Sequence, residues 1–125
     1  MKNEIKVSNP SNSDVENFEI LSPMLKSNLS EIKELSKKKQ DDPLNLLKVK
    51  SINKKLELVR DLLKNEPTFN FLTVLDEASL PTNSDAVLIM AEYVEAMELY
   101  RKKYYTLDNR DFQILGEHYS WKKSE

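Results

Sequence analysis

The chain has 125 residues, 32% of them charged and 39% hydrophobic, with a formal net charge of −2; that balance fits a globular protein and argues against a disordered or membrane-spanning one. With no cysteine, one histidine (His118) and one glycine (Gly116), it has no disulfide framework, no cysteine or multi-histidine zinc site, and no glycine-rich loop to cradle a phosphate. So little glycine also leaves few positions for strands joined by tight turns, and the expected fold is all-α, a four- to five-helix bundle with a flexible N-terminal tail.

Residues 1–12 contain Asn9-Pro10 and show no helical stripe, so they are expected to form that tail ahead of a single helical domain over 13–125. Ser13 and Glu16 have capping-box spacing before Val15, Phe18 and Leu21. Ser22-Pro23 then reads as an N-cap followed by a first-position proline, opening a helix over about 23–39 with Leu25, Leu29, Ile32 and Leu35 as its stripe. Whether 15–21 forms a separate turn or a kinked continuation is left open by this pattern.

Asp42-Pro43 repeats the cap-proline signal and predicts a second helix over about 43–64, with Val49, Ile52, Leu56, Val59 and Leu63 as a heptad-like seam. Glu66-Pro67 ends it and predicts a third, shorter helix over about 67–78 carrying Phe69, Phe71, Leu72, Val74 and Leu75. Thr82, Asn83 and Ser84 are alternative caps for a fourth, over about 84–105. Its seam is Ala86, Met90, Tyr93, Met97, Tyr100 and Tyr104; Val87, Leu88, Ile89, Ala91 and Val94 make its first half apolar nearly all round, as in the middle of a bundle. Asp108 is a candidate cap for a last short helix with Phe112, Ile114 and Leu115, closed by Gly116. The first residues lack an apolar leader with a small-residue cleavage site, and no run approaches the roughly 20 apolar residues of a membrane span. A cytoplasmic protein without membrane contact is therefore expected.

Catalytic constellations are scarce. Glu31 and Glu34, Glu57 and Asp61, and Glu92, Glu95 and Glu98 place carboxylates a turn apart, a pattern that can share an oxygen-loving cation. All-α nucleoside-triphosphate pyrophosphohydrolases hold magnesium with paired Glu-x-x-Glu and Glu-x-x-Asp helices, but here Glu57 and Asp61 are spaced i,i+4 and most of these acids fall on outward positions. A metal-dependent hydrolase is the weakest reading, and no catalytic, metal-binding or cofactor-binding residue is assigned. Arg110 and His118 would need to share one helix to form a helical ribonuclease pair, and Gly116 interrupts it.

Two surface patterns remain. Residues 1–65 carry 13 Lys/Arg against 10 Asp/Glu, and Lys37, Lys38, Lys39, Lys48, Lys50, Lys54 and Lys55 gather around the first inter-helix turn, a possible footprint for nucleic-acid phosphates. Lysine outnumbers arginine 16 to 3, and lysine reads base edges less well. Second, all five tyrosines and the only tryptophan lie in the last 33 residues. Such side chains concentrate at binding hot spots because they bury large area while keeping a polar handle. Tyr100, Tyr104, Tyr105, Tyr119 and Trp121 are the candidate protein interface, unless the tail folds back over the bundle. The expected function is a small helical interaction protein, an accessory or adaptor subunit of a larger prokaryotic assembly or a homo-oligomer; a nucleic-acid-binding or regulatory protein using the lysine cluster is the alternative.

Overall fold

The computed structural model describes residues 9–107 and 119–123. Among these, the elements are helices α1 (Asn12–Lys38), α2 (Leu46–Leu62) and α3 (Asn83–Tyr104), one 3-10 turn (Pro67–Phe71), and strands β1 (Tyr105–Leu107) and β2 (Tyr119–Trp121). The protein is mostly helical, but the expected four to five helices reduce to three and a two-stranded sheet is added. Most of the N-terminal tail, and all of the helix expected after Asp108, with Phe112, Ile114, Leu115 and Gly116, lie outside the described residues.

α1 starts earlier than the cap-proline signal implied. Its capping box uses Ser11 and Asp14: the Asp14 N–H donates to Ser11 Oγ and the Ser11 N–H to Asp14 Oδ2, each at 3.0 Å. The helix then runs through Pro23 without a break. Proline removes only the hydrogen bond to the carbonyl four residues back, that of Glu19, and Pro23 is exposed, where that carbonyl can reach water. Val15, Phe18 and Leu21 are in phase with Leu25, Leu29 and Ile32, and all six are buried; the continuous stripe outweighs the proline.

α1 lies antiparallel to α3. Phe18 stacks on Tyr100 at one end (centroids 5.8 Å apart), while at the other Asn83 Nδ2 donates to the Lys39 carbonyl at 2.8 Å. α2 is antiparallel to α1, with Lys48 Nζ 3.5 Å from Glu31 Oε2. The seams read from the sequence face inward: Val49, Ile52, Leu56, Val59 and Leu63 on or just after α2, and Ala86, Met90, Tyr93, Met97, Tyr100 and Tyr104 on α3, are all buried. α3 is not enclosed on every side, since Leu88 is exposed.

Asp42-Pro43 does not begin α2. The backbone there is taken up by the approach to α3: Leu44 N–H donates to the Pro81 carbonyl at 2.8 Å, Asn83 N–H to the Asp42 carbonyl at 2.9 Å, and Pro43 bridges Thr82. α2 is capped instead by Asn45, whose Oδ1 accepts from the Lys48 N–H. α3 is capped by Thr82, whose hydroxyl accepts from the Asp85 N–H.

The helix expected over 67–78 is a single 3-10 turn followed by a strap, Leu72–Asp76, without helical structure. Its backbone is held by side chains of the flanking helices. Asn53 on α2 pairs with Leu75 in both directions, Nδ2 donating to its carbonyl and Oδ1 accepting from its N–H, each at 2.8 Å. The Arg60 guanidinium donates to the Leu72 carbonyl and lies over the Phe69 ring. On α3, Tyr93 donates its hydroxyl proton to the Thr73 carbonyl at 2.7 Å. The strap buries Leu72 and Leu75 and leaves Thr73 and Val74 outside. At its end, Asp76 Oδ1 accepts from the Ser79 and Ala78 N–H groups, and these bonds lower its carboxyl pKa.

Candidate functional site

The C-terminal aromatics come together, and they do so partly as core. Tyr100 and Tyr104 are buried at the end of α3, with rings edge-on at 5.0 Å. The Tyr104 hydroxyl donates to Glu66 Oε2 at 2.8 Å, and Glu66 Oε1 also receives Lys103 Nζ at 3.0 Å. These two tyrosines are therefore not free to anchor a partner.

β1 and β2 pair antiparallel, Tyr105 opposite Trp121, Thr106 opposite Ser120 and Leu107 opposite Tyr119. The ribbon lays Trp121 against the bundle: its ring meets Phe18 edge-on at 5.0 Å and Tyr105 at 5.4 Å, and its indole N–H donates to Glu19 Oε2 at 3.0 Å. Tyr119 stacks on Tyr105 at 6.2 Å and stays half exposed. Arg101 lies over the Tyr105 ring, 5.6 Å from its centroid, and is held by both oxygens of Glu98. That hydrogen bond lowers the Glu98 pKa and raises that of Arg101.

The tail thus folds back over the helices through Trp121, while Tyr105 and Tyr119 form the outward part of the cluster. Trp121→Ala is expected to destabilise the fold by about 1–3 kcal/mol, less than the roughly 3–5 of a fully buried tryptophan because the ring is half-buried. Urea unfolding checks this; unchanged stability would show that the ring does not pin the ribbon.

The lysine cluster is spread from the α1–α2 turn (Lys37, Lys38, Lys39, Lys48, Lys50) to the middle of α2 (Lys54, Lys55), with the acids Asp41 and Asp42 exposed in the turn itself, and its members are unequally free. Lys48 pairs with Glu31 and Lys37 with Glu34 at 3.2 Å, and Lys55 donates to Ser51. Lys38, Lys39, Lys50 and Lys54 are exposed. The carboxylates are dispersed: Asp61 is 3.9 Å from Lys64, Glu98 is taken by Arg101, and Glu57, Glu92 and Glu95 point outward. Among the described residues no three His, Asp or Glu side chains converge as metal ligands, and no helix is long and apolar enough to cross a membrane. Arg110 and His118 lie outside the described residues. No protein-family model, curated protein or solved structure matches the chain.

Sequence reasoning overlooked the apolar side chains left on helix exteriors. Ile20, Leu47, Leu58 and Leu88 are all more than half exposed. The signal was available: Leu47 and Leu58 stand outside the second helix's seam, and Ile20 stands outside the stripe of the first.

Proposed function

We propose that the chain is a small helical interaction protein, an accessory or adaptor subunit of a larger prokaryotic assembly or a homo-oligomer. The observation that carries this reading is the set of large apolar side chains on the outside: Ile20, Leu47, Leu58, Phe71 and Leu88 each expose more than half their surface. Scattered apolar residues are ordinary on a protein surface, but Leu47 and Leu58, eleven residues apart on α2, share one helix face, as Ile20 does with the exposed Met24 on α1, and such pairing favours covered faces. Tyr105 and Tyr119, with Arg101 alongside, offer a second contact of the aromatic-and-arginine kind common in interfaces.

The test is the mass of the purified chain by light scattering, together with affinity purification from the native cell. A stoichiometric complex, with itself or with another protein, is expected. A monomer that brings down nothing in stoichiometric amount would overturn the reading. Nucleic-acid binding is the second reading, favoured by the exposure of Lys38, Lys39, Lys50 and Lys54 between the α1–α2 turn and the middle of α2. It requires salt-sensitive retention on heparin.

A further inference from the structure

The strap Leu72–Asp76 is held in the way that a bound peptide is held. Among the described residues its backbone meets other backbone only locally, where the Leu72 N–H donates to the Phe69 carbonyl. The bonds that fix it to the helices come from side chains and end on its main chain: two from Asn53 at Leu75, one from Arg60 at Leu72 and one from Tyr93 at Thr73. Such bonds recognise the course of an extended chain and ignore its side chains, leaving specificity to the pockets alongside. Here those pockets hold Leu72 and Leu75, 3% and 2% exposed and three positions apart, while Thr73 and Val74 between them face solvent.

The strap does not fill its groove. An open cavity of about 490 Å³ lies beside it, between Glu57 and Arg60 of α2 and Phe69, Thr73 and Val74. Its flanks are exposed as well, Phe71 at one end and Glu77, Ala78 and Ser79 at the other. A segment without main-chain pairing to its neighbours, tied at both ends through exposed residues, opens before the helices do.

We propose that the groove between α2 and α3 receives an extended segment of a partner protein with two large aliphatic side chains three positions apart, and that the strap is its intramolecular occupant, displaced when the partner binds. The inference deepens the interaction reading above and rests on it. In the complex Asn53 takes the N–H and the carbonyl of the second anchor residue, and Tyr93 and Arg60 each take a carbonyl before it. Displacing the strap uncovers Leu72 and Leu75, which the partner's two anchors offset by filling the same pockets. The attached strap competes at an effective concentration of about millimolar order, so the partner's segment has to bind better than the strap does. The cavity supplies the means: a side chain larger than threonine or valine between the anchors enters space that the strap leaves open.

The probe is a fluorescein-labelled synthetic peptide of residues 70–77, titrated by anisotropy into the full chain and into the full chain carrying Leu75→Ala, with circular dichroism as the folding control. Leu75→Ala loosens the strap, so it is expected to raise the affinity for the peptide by about tenfold or more, because a larger fraction of the groove is open. Placing Leu72→Asp and Leu75→Asp in the peptide removes its anchors, and N-methylating its Leu75 amide removes the bond to Asn53 Oδ1; each should weaken binding by about tenfold or more. Hydrogen exchange of the unchanged chain is the second measurement, and it holds even if Leu75→Ala does not fold. As peptide is added, the strap's own Leu75 amide should exchange faster while the Met90 amide in α3 keeps its rate. No binding to either chain, binding indifferent to N-methylation, or binding that leaves the Leu75 rate unchanged overturns the inference. A stoichiometric complex from the native cell would in each of those cases leave the interaction reading standing.

Discussion

Asn53→Leu is expected to lower the stability of the protein by about 2–5 kcal/mol although the two side chains are similar in volume. Asn53 is 4% exposed, and its carboxamide satisfies both backbone groups of Leu75, much as a neighbouring strand would. It donates a further bond, 3.3 Å long, to Glu77 Oε2. Leucine would leave a buried N–H and a buried carbonyl without partners, each costing about 1–3 kcal/mol. Asn53→Asp should also destabilise, since a carboxylate accepts from the Leu75 N–H but repels its carbonyl and Glu77. Urea unfolding measures the loss, and amide exchange at Leu75 should quicken before global unfolding. Lys50→Ala, an exposed change on the same helix, should cost under about 0.5 kcal/mol. Equal losses for Asn53→Leu and Lys50→Ala would mean that the strap is held by something other than this side chain.

Alkaline pH should unfold the protein through its buried tyrosines. Burial pushes the Tyr93 phenol up from its ordinary value of 10.0 to about 12, against a partial offset from Arg60. Tyr100 and Tyr104 are raised in the same direction, first by burial, and Tyr104 also by the proton it donates to Glu66. A pKa raised in the folded state means that the neutral phenol is favoured there, so the unfolded chain loses its proton first as pH climbs. The stabilisation from Tyr93 is fully present below pH 10 and is lost progressively between 10 and about 12. That window corresponds to about 3 kcal/mol for this one residue, and the other two act in the same direction.

Phenolate absorbance and helicity followed together over this range should show the buried tyrosines ionising only as the helices melt. Tyr93→Phe should cost about 1 kcal/mol at neutral pH, through the bond lost to Thr73, yet flatten the alkaline fall. Ionisation of all the tyrosines with helicity intact would show that these rings are not enclosed.

What the residues determined by themselves was local. The seams of α2 and α3 and the stripe of α1 could be read because helix periodicity depends only on spacing along the chain, and burial then selected the same residues. The cap of α3 was legible only as three alternatives, Thr82, Asn83 and Ser84, since a cap needs only the next three residues, and the fold selects Thr82. Pro23 misled because a serine-proline pair has the same local form at a helix start as in mid-helix. The phase of Phe18 and Leu21 with Leu25 carried the correction.

The strap, the ribbon and the loop before α2 were decided by tertiary structure. Leu72–Asp76 lies extended because Asn53, Arg60 and Tyr93, remote in sequence, satisfy its backbone. Pro43 is taken from α2 because Leu44 and Asp42 bond to Pro81 and Asn83. The division of the candidate site was decided in the same way. Composition gathered the aromatics into one stretch, but only the fold could bury Tyr100 and Tyr104, turn Trp121 onto Phe18 and leave Tyr119 outside. A side chain's role as core or surface depends on which remote backbone and rings reach it, and spacing along the chain carries no record of that.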